Sequence, residues 1–420
     1  MSNPQSRFLE TANRIGRRLC RDAIWAGNQC TWLGWSKEPI NGVWANAYRA
    51  AGSDLYNGTS GIALFLAHLY RFTGDAHQKR ALIGAVNQVL GQIENIPEAA
   101  RIGFYSGATG AAYALTEIGR ILQNDTLITR GIDEIVMLGQ LPLTKHHVDV
   151  IGGSAGVIPA CLDLAARYQR PELIDIARRH GDHLLSLTTK SANGWSWDTM
   201  NTPGQKHLTG HSHGLAGIVT AMLELFHVTR DRRYQTAALK GLRYDRHHFI
   251  PEHNNWPDFR QMDNNPNPDP NAPPSYMLAW CHGAPGIGMS RLRTYELMRK
   301  DKRVLKEIDV AIQSTAQSLS APIGPGAGNF SLCHGAGGNA DMLLMAADQL
   351  KRPELRQTAE SIGDFGIQQF EQPNMPWPCG IAGSGEAPNL MLGTAGIGYF
   401  YLRLFDSKQV PTILLIAPEC

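Results

Sequence analysis

A chain of 420 residues can hold two or three average domains or one large repetitive one. With 43% hydrophobic and 18% charged residues it has ample material for a globular core. A net charge of +2, with Lys and Arg scattered, gives no strong field for nucleic acid or an acidic membrane, and no apolar run reaches the ~18–20 residues of a membrane helix.

The first twenty residues contain no apolar core of a secretory signal. The seven cysteines (20, 30, 161, 281, 333, 379 and 420) are sparse, odd in number and without a regular framework. Reduced thiols in a cytoplasm are the expected state, with attachment to a membrane only through a partner complex.

Residues 1–50 open with a helical pattern (Phe8, Leu9, Ala12, Ile15, Leu19) and continue as an aromatic, loop-like stretch, Trp32–Trp44. They read as an extension packed on a body formed by residues 51–420. There a Gly-x-x-Gly step recurs seven times, with paired glycines at 58/61, 107/110, 153/156, 214/217, 283/286, 335/338 and 393/396. Each pair starts a segment apolar on nearly every face, the pattern of a buried helix. A short turn follows in most copies, then a more amphipathic helix, predicted over 76–94, 171–188, 232–246, 302–320 and 353–370. Proline at the first helical position followed by glutamate, as in Pro171-Glu172 and Pro353-Glu354, is a helix-start signal.

The unit is thus a helical hairpin repeated at intervals of 46–69 residues, and no single unit can bury its own apolar face. Seven inner helices ringed by about seven outer ones predict an all-α fold, a closed α/α-toroid or double barrel. An open solenoid is the alternative, but it needs polar end caps, and the last copy, Gly393–Phe405, is as apolar as the others. Every residue just ahead of a glycine pair then falls at one end of the barrel. The longer connections, 189–211 and the Pro/Asn-rich 247–279, would lie over that end as a lid or groove for an extended substrate, or serve merely as linkers.

Four of the seven copies carry reactive residues at that end. Cys281 and Cys333 occupy the same slot of different repeats, two residues before the first glycine, and His334 adjoins Cys333. A lone cysteine on an apolar helix is usually a small buried hydrophobe. Two in equivalent slots with a histidine make a three-ligand set for zinc with a fourth position open. His213 stands directly before Gly214, and Asp149 lies four residues before Gly153. They read as a general acid/base and its carboxylate companion, against a core histidine and a helix cap as the plainer alternatives. His207, His211 and His282 crowd the same end without an assignable role.

At these residues the chain resembles a known family. The stretches His213–Gly217 (HGLAG), Trp280–Gly288 (WCHGAPGIG) and Leu332–Asn339 (LCHGAGGN) are similar to signatures of the lanthionine synthetase C-like cyclases, and the likeness runs through residues 50–405. The wording is nearest to the cyclase portion of the two-domain class II lanthipeptide synthetases. The resemblance implies an α/α-toroid and one zinc ion per chain, with Cys281, Cys333 and His334 as ligands, His213 as acid/base and Asp149 as its companion. It implies formation of thioether rings, a peptide cysteine adding to dehydroalanine or dehydrobutyrine.

The implied partners are a dehydrated precursor peptide (leader plus core), a separate dehydratase and an exporter. The sequence departs from class II members in two ways. There is no room for their dehydratase, so a free-standing cyclase or an excised region is expected. Ala336 and Gly337 also stand where an acidic residue is common. A binding protein that holds thiol peptides or glutathione without closing rings is the runner-up. A carbohydrate-active toroid ranks third, since it needs paired carboxylates and the repeat starts offer only Asp54 and Asp149.

Overall fold

Space explains why the glycines come in pairs. In the computed structural model, which describes residues 5–40, 43–202, 204–260, 273–298, 301–324 and 328–418, the second glycine of each pair lies beneath the carbonyl six residues earlier. A Cβ on Gly110 would stand 1.5 Å from the Phe104 oxygen, and one on Gly286 1.9 Å from the Trp280 oxygen. Each loop therefore folds back onto the first turn of its own helix, and no side chain fits between. Replacing Gly110 with Ala forces that loop off the helix; a loss of about 3 kcal/mol is expected, read as a lower denaturant midpoint.

The seven helices that follow are α2 (Thr59–Thr73), α4 (Ala108–Leu122), α6 (Ser154–Tyr168), α8 (Leu215–Thr229), α10 (Ala284–Leu297), α12 (Ala336–Leu350) and α14 (Thr394–Phe405). Their first three turns are buried on nearly every side. Six outer helices alternate with them in the chain: α3 (Ala76–Gln92), α5 (Asp125–Leu138), α7 (Glu172–Ser186), α9 (Arg232–His247), α11 (Lys302–Ser318) and α13 (Pro353–Gly366). Asp75, Asp231 and Asp301 cap three of these by accepting from first-turn N–H groups. The outer partner of α14 comes from the other end of the sequence. Helix α1 (Ser6–Asp22) packs along α14 and buries Phe8, Ala12, Ile15 and Leu19.

Closure is visible in the hydrogen bonds between successive loops. Tyr56 N–H donates to the Tyr105 carbonyl (2.9 Å), Tyr105 to Ile151 (2.9 Å), Val150 to Ser212 (3.1 Å) and Ser212 to Cys281 (3.2 Å). Cys281 then donates to Cys333 (3.3 Å), Cys333 to Met391 (3.0 Å), and Met391 back to Tyr56 (3.1 Å). The circle returns to its starting residue, so the fold is the predicted closed α/α-toroid and not the open solenoid. Apart from Val150, every member sits two residues before the first glycine of its pair.

At the opposite end, where the inner helices finish, arginines of the last turns, favoured there by the helix dipole, pair with buried acids. Arg167 bridges Glu117 and Asp163, and Arg403 pairs with Asp341. The α4–α6 seam is spanned by such contacts, including the Tyr113 hydroxyl donating to Asp163 (2.8 Å).

The expected loop around Trp32–Trp44 is instead part of an antiparallel hairpin, β3 (Leu33–Ile40) with β4 (Val43–Ala50). Two shorter hairpins, Ile24–Thr31 and Thr189–Ser196, and the isolated antiparallel bridges Ile250–Asn255 and Asp258–Ser275 complete the β-structure among the described residues. Residues 261–272 of the Pro/Asn-rich connection expected as a lid lie outside the described residues.

Candidate active site

The ring of loop hydrogen bonds makes Cys281 and Cys333 direct neighbours, since the N–H of one meets the carbonyl of the other. Their sulfurs and a ring nitrogen of His334 lie within 4.8 Å of one another. His334 points its Nε2 at the Gly380 carbonyl, 2.7 Å away, which leaves Nδ1 to face the sulfurs. A ring nitrogen fixed by a backbone carbonyl is the usual support of a metal-binding histidine.

Both sulfurs are buried. The hydrogen bond from Cys333 holds the Cys281 thiol below its usual range, assisted by His334, Arg260 and His213, while the same bond drives Cys333 upward. Elsewhere burial is the main cause that pushes Cys30, Cys161 and Cys379 up to about 12, which favours the protonated thiol. The donor chemistry fits zinc. Two sulfurs and an imidazole suit a borderline-soft ion, and tetrahedral bonds of about 2.0–2.3 Å need ligand atoms roughly 3.5 Å apart, a small contraction of the cluster.

Asp149 accepts the Gly152 N–H through Oδ1 (2.8 Å), which holds its loop, and through Oδ2 it meets His213 Nδ1 at 2.6 Å. Nδ1 is therefore the donor to the carboxylate, and Nε2 is the nitrogen available to a substrate. Burial opposes charge on His213, but the bond to Asp149 and its negative charge prevail and raise the imidazolium pKa above its ordinary value. With 32% of its side chain exposed, His213 remains reachable.

His213, Cys281, Cys333 and His334 line one cavity of about 1470 Å3. Its walls include Met200, Thr202 and Gln205 from the 189–211 connection and Arg260 and Met277 from the 247–279 connection. The described parts of both long connections thus border the reactive end.

Sequence reasoning missed three features here. Arg260, held by both oxygens of Asp258 (2.7–3.1 Å), brings a fixed cation to the two cysteines and His213. Tyr56 lines the cavity together with Cys333, and the Gly380 carbonyl orients His334. Tyr56 stands in the slot of the two cysteines and was open to the same inference; Arg260 and Gly380 carry no periodic signal.

The three unassigned histidines separate. His282 stacks on His213 at 5.9 Å, lies outside the sulfur cluster and is held neutral by burial, its pKa lowered to about 3. His211 packs against Trp280 at 5.6 Å, likewise neutral, and His207 bonds to Ser196.

Comparison with known proteins agrees with this geometry. The chain is 23% identical over 377 residues to the lacticin 481/lactococcin biosynthesis protein LcnDR2 of Lactococcus lactis subsp. lactis, covering 86% of this chain and 37% of that protein's length. Among solved structures, nisin cyclase superposes with a TM-score of 0.62 at 17% identity, over 86% of this chain and 90% of that one. A family 76 glycoside hydrolase (mannosidase) from Bacteroides thetaiotaomicron shares the fold more loosely, with a TM-score of 0.52 at 11% identity over 95% and 98% of the two chains. The family model described as lanthionine synthetase C-like protein matches residues 49–415. A match of that extent settles membership: the chain belongs to the lanthionine synthetase C-like family.

Proposed function

We propose that the protein is a zinc-dependent lanthipeptide cyclase that forms lanthionine and methyllanthionine rings, and that Cys281, Cys333 and His334 hold one zinc ion. The observation that carries this reading is the convergence of two sulfurs and an oriented imidazole on the cavity that is also lined by His213, itself held by Asp149.

A bound zinc would supply a deprotonated substrate thiol at neutral pH, where a free thiol with a pKa near 8.5 is mostly protonated. The remaining work falls to side chains. As the sulfur of the peptide cysteine bonds to the β-carbon of the dehydroamino acid, the alkene electron pair moves toward the α-carbon and its carbonyl as an enolate. His213 Nε2 delivers the proton that the α-carbon needs, and Asp149 stabilises the imidazolium beforehand. Arg260 sets a positive charge near the place where the enolate charge builds, in a water-poor setting that strengthens it. The cavity holds sulfur and alkene of one flexible peptide within reach, and proximity of that sort is worth several kcal/mol.

The substrate is then a precursor peptide already dehydrated, by a separate dehydratase or by another part of a longer chain. The family resemblance adds an exporter as a further partner. Among the described residues no helix is long and apolar enough to cross a membrane, and the six described cysteines are free, which fits a reducing cytoplasm as the working place. Incubation with a dehydrated, cysteine-containing precursor should remove alkylatable peptide thiols without a change of peptide mass. Full retention of those thiols with a zinc-loaded protein would favour a non-cyclising binder.

A further inference from the structure

Beyond α14 the chain folds back into the middle of the toroid. Residues 410–418 run without regular secondary structure, and Val410, Ile413, Leu414, Leu415 and Pro418 are buried. A buried segment without internal pairing must find donors for its carbonyls, and here side chains supply them. Arg403 donates to the Val410 carbonyl (2.7 Å), the Tyr399 hydroxyl to Pro411 (2.8 Å) and Arg293 to Pro418 (2.8 Å). Farthest in, the Tyr105 hydroxyl donates to the Ile413 carbonyl (2.5 Å) and the Trp280 indole N–H to the Leu414 carbonyl (2.8 Å).

The last two donors are not ordinary core residues. Trp280 is covalently next to Cys281. Tyr105 packs edge-on to Trp280 at 5.2 Å and to Tyr56 at 6.5 Å, and Tyr56 is joined to Cys333 through Met391, whose N–H donates to the Tyr56 carbonyl and whose carbonyl accepts from the Cys333 N–H. A continuous row, Cys281–Trp280–Tyr105–Tyr56–Cys333, therefore forms a floor with a sulfur at each end. Two of its three middle members, Trp280 and Tyr105, are each fixed by one main-chain carbonyl of the returning segment.

We propose that the segment 410–418 is a positioning element of the thiol centre, setting the separation of Cys281 and Cys333 through Tyr105 and Trp280. The proposal rests on the reading of those thiols as metal ligands. The rings of Tyr105 and Trp280 would pack in the core without any tail contact, but a hydrogen bond from each to consecutive residues fixes their tilt as well as their place. A tilt of Trp280 moves Cys281 with it, and the ring of loop hydrogen bonds passes that movement to Cys333.

The test is the binding and spectrum of cobalt(II) substituted for zinc, which reports sulfur geometry directly through the thiolate-to-cobalt charge-transfer band. Tyr105→Phe keeps the ring and removes only the donor to Ile413. It should shift that band and weaken zinc in chelator competition by roughly tenfold, the scale on which outer-shell partners act. Truncation after Gln409 should do more, and a synthetic peptide of residues 408–420 should restore the parental band.

A Tyr105→Phe protein with a lower melting temperature but the parental band and zinc affinity would show that the segment only fills the core, and would overturn the proposal even if the truncated chain failed to fold. The parental protein separates this proposal from the cyclase reading. Metal binding without ring closure sinks only the cyclase, whereas absence of cobalt binding sinks the positioning role as well.

Discussion

Cys281→Ala and Cys333→Ala should each abolish zinc binding and ring closure together, with a fall in cyclisation of roughly 10^3-fold or more. Without the metal a thiol of ordinary pKa is only a few per cent ionised at neutral pH, and the ordering of sulfur against alkene is lost besides. The fold should survive either change. What joins the two loops is the Cys281 N–H to Cys333 carbonyl bond, which alanine leaves in place. The melting temperatures of the two variants should therefore match that of the metal-stripped parent. Zinc content by elemental analysis checks the ligand assignment, and thiol alkylation of a dehydrated peptide checks the reaction. A full complement of zinc in either variant removes that cysteine from the ligand set.

His213→Asn should keep zinc and lose cyclisation by about 10^2–10^4-fold, the range over which a positioned acid acts. The pH dependence tests the assignment further. Because Asp149 raises the imidazolium pKa, the protonated acid persists above the ordinary histidine value, and the rate falls only as pH rises through the raised pKa. Asp149→Asn removes the negative charge and lowers that pKa, so the descending limb of the profile should move to lower pH. The same sign holds for stability. The His213–Asp149 contribution is complete below the unfolded histidine pKa and disappears as pH rises through the folded one. A descending limb in the same place with and without the Asp149 carboxylate would take His213 out of the acid role.

What the sequence revealed and what it hid have separate physical origins. The glycine pairs were legible because each is a steric demand, a carbonyl folded onto a helix start, and that demand recurs at every repeat. Equivalence of slot then placed Cys281 and Cys333 at one rim. Hairpin β3–β4 is harder to see, because its strands carry glycine, proline and charged residues among the aromatic ones and so lack the clean alternation of a half-buried strand. Helix α1 was read as an extension, because nothing in a linear pattern shows that the first helix lies against the last. Arg260 and the Gly380 carbonyl come from loops with neither period nor motif, and their nearness to the sulfurs exists only after closure.

The circle of seven main-chain bonds has a consequence for how such a protein can change. In an open array, a repeat can be gained or lost at an end with little effect on those far away. In a circle, an eighth member would enlarge the circumference and alter the angle between every pair of adjoining loops, including the pair that carries the sulfurs. The number of repeats is thereby locked to the chemistry, and variation is left to the connections that border the cavity, where a new peptide can be accommodated without disturbing the hoop.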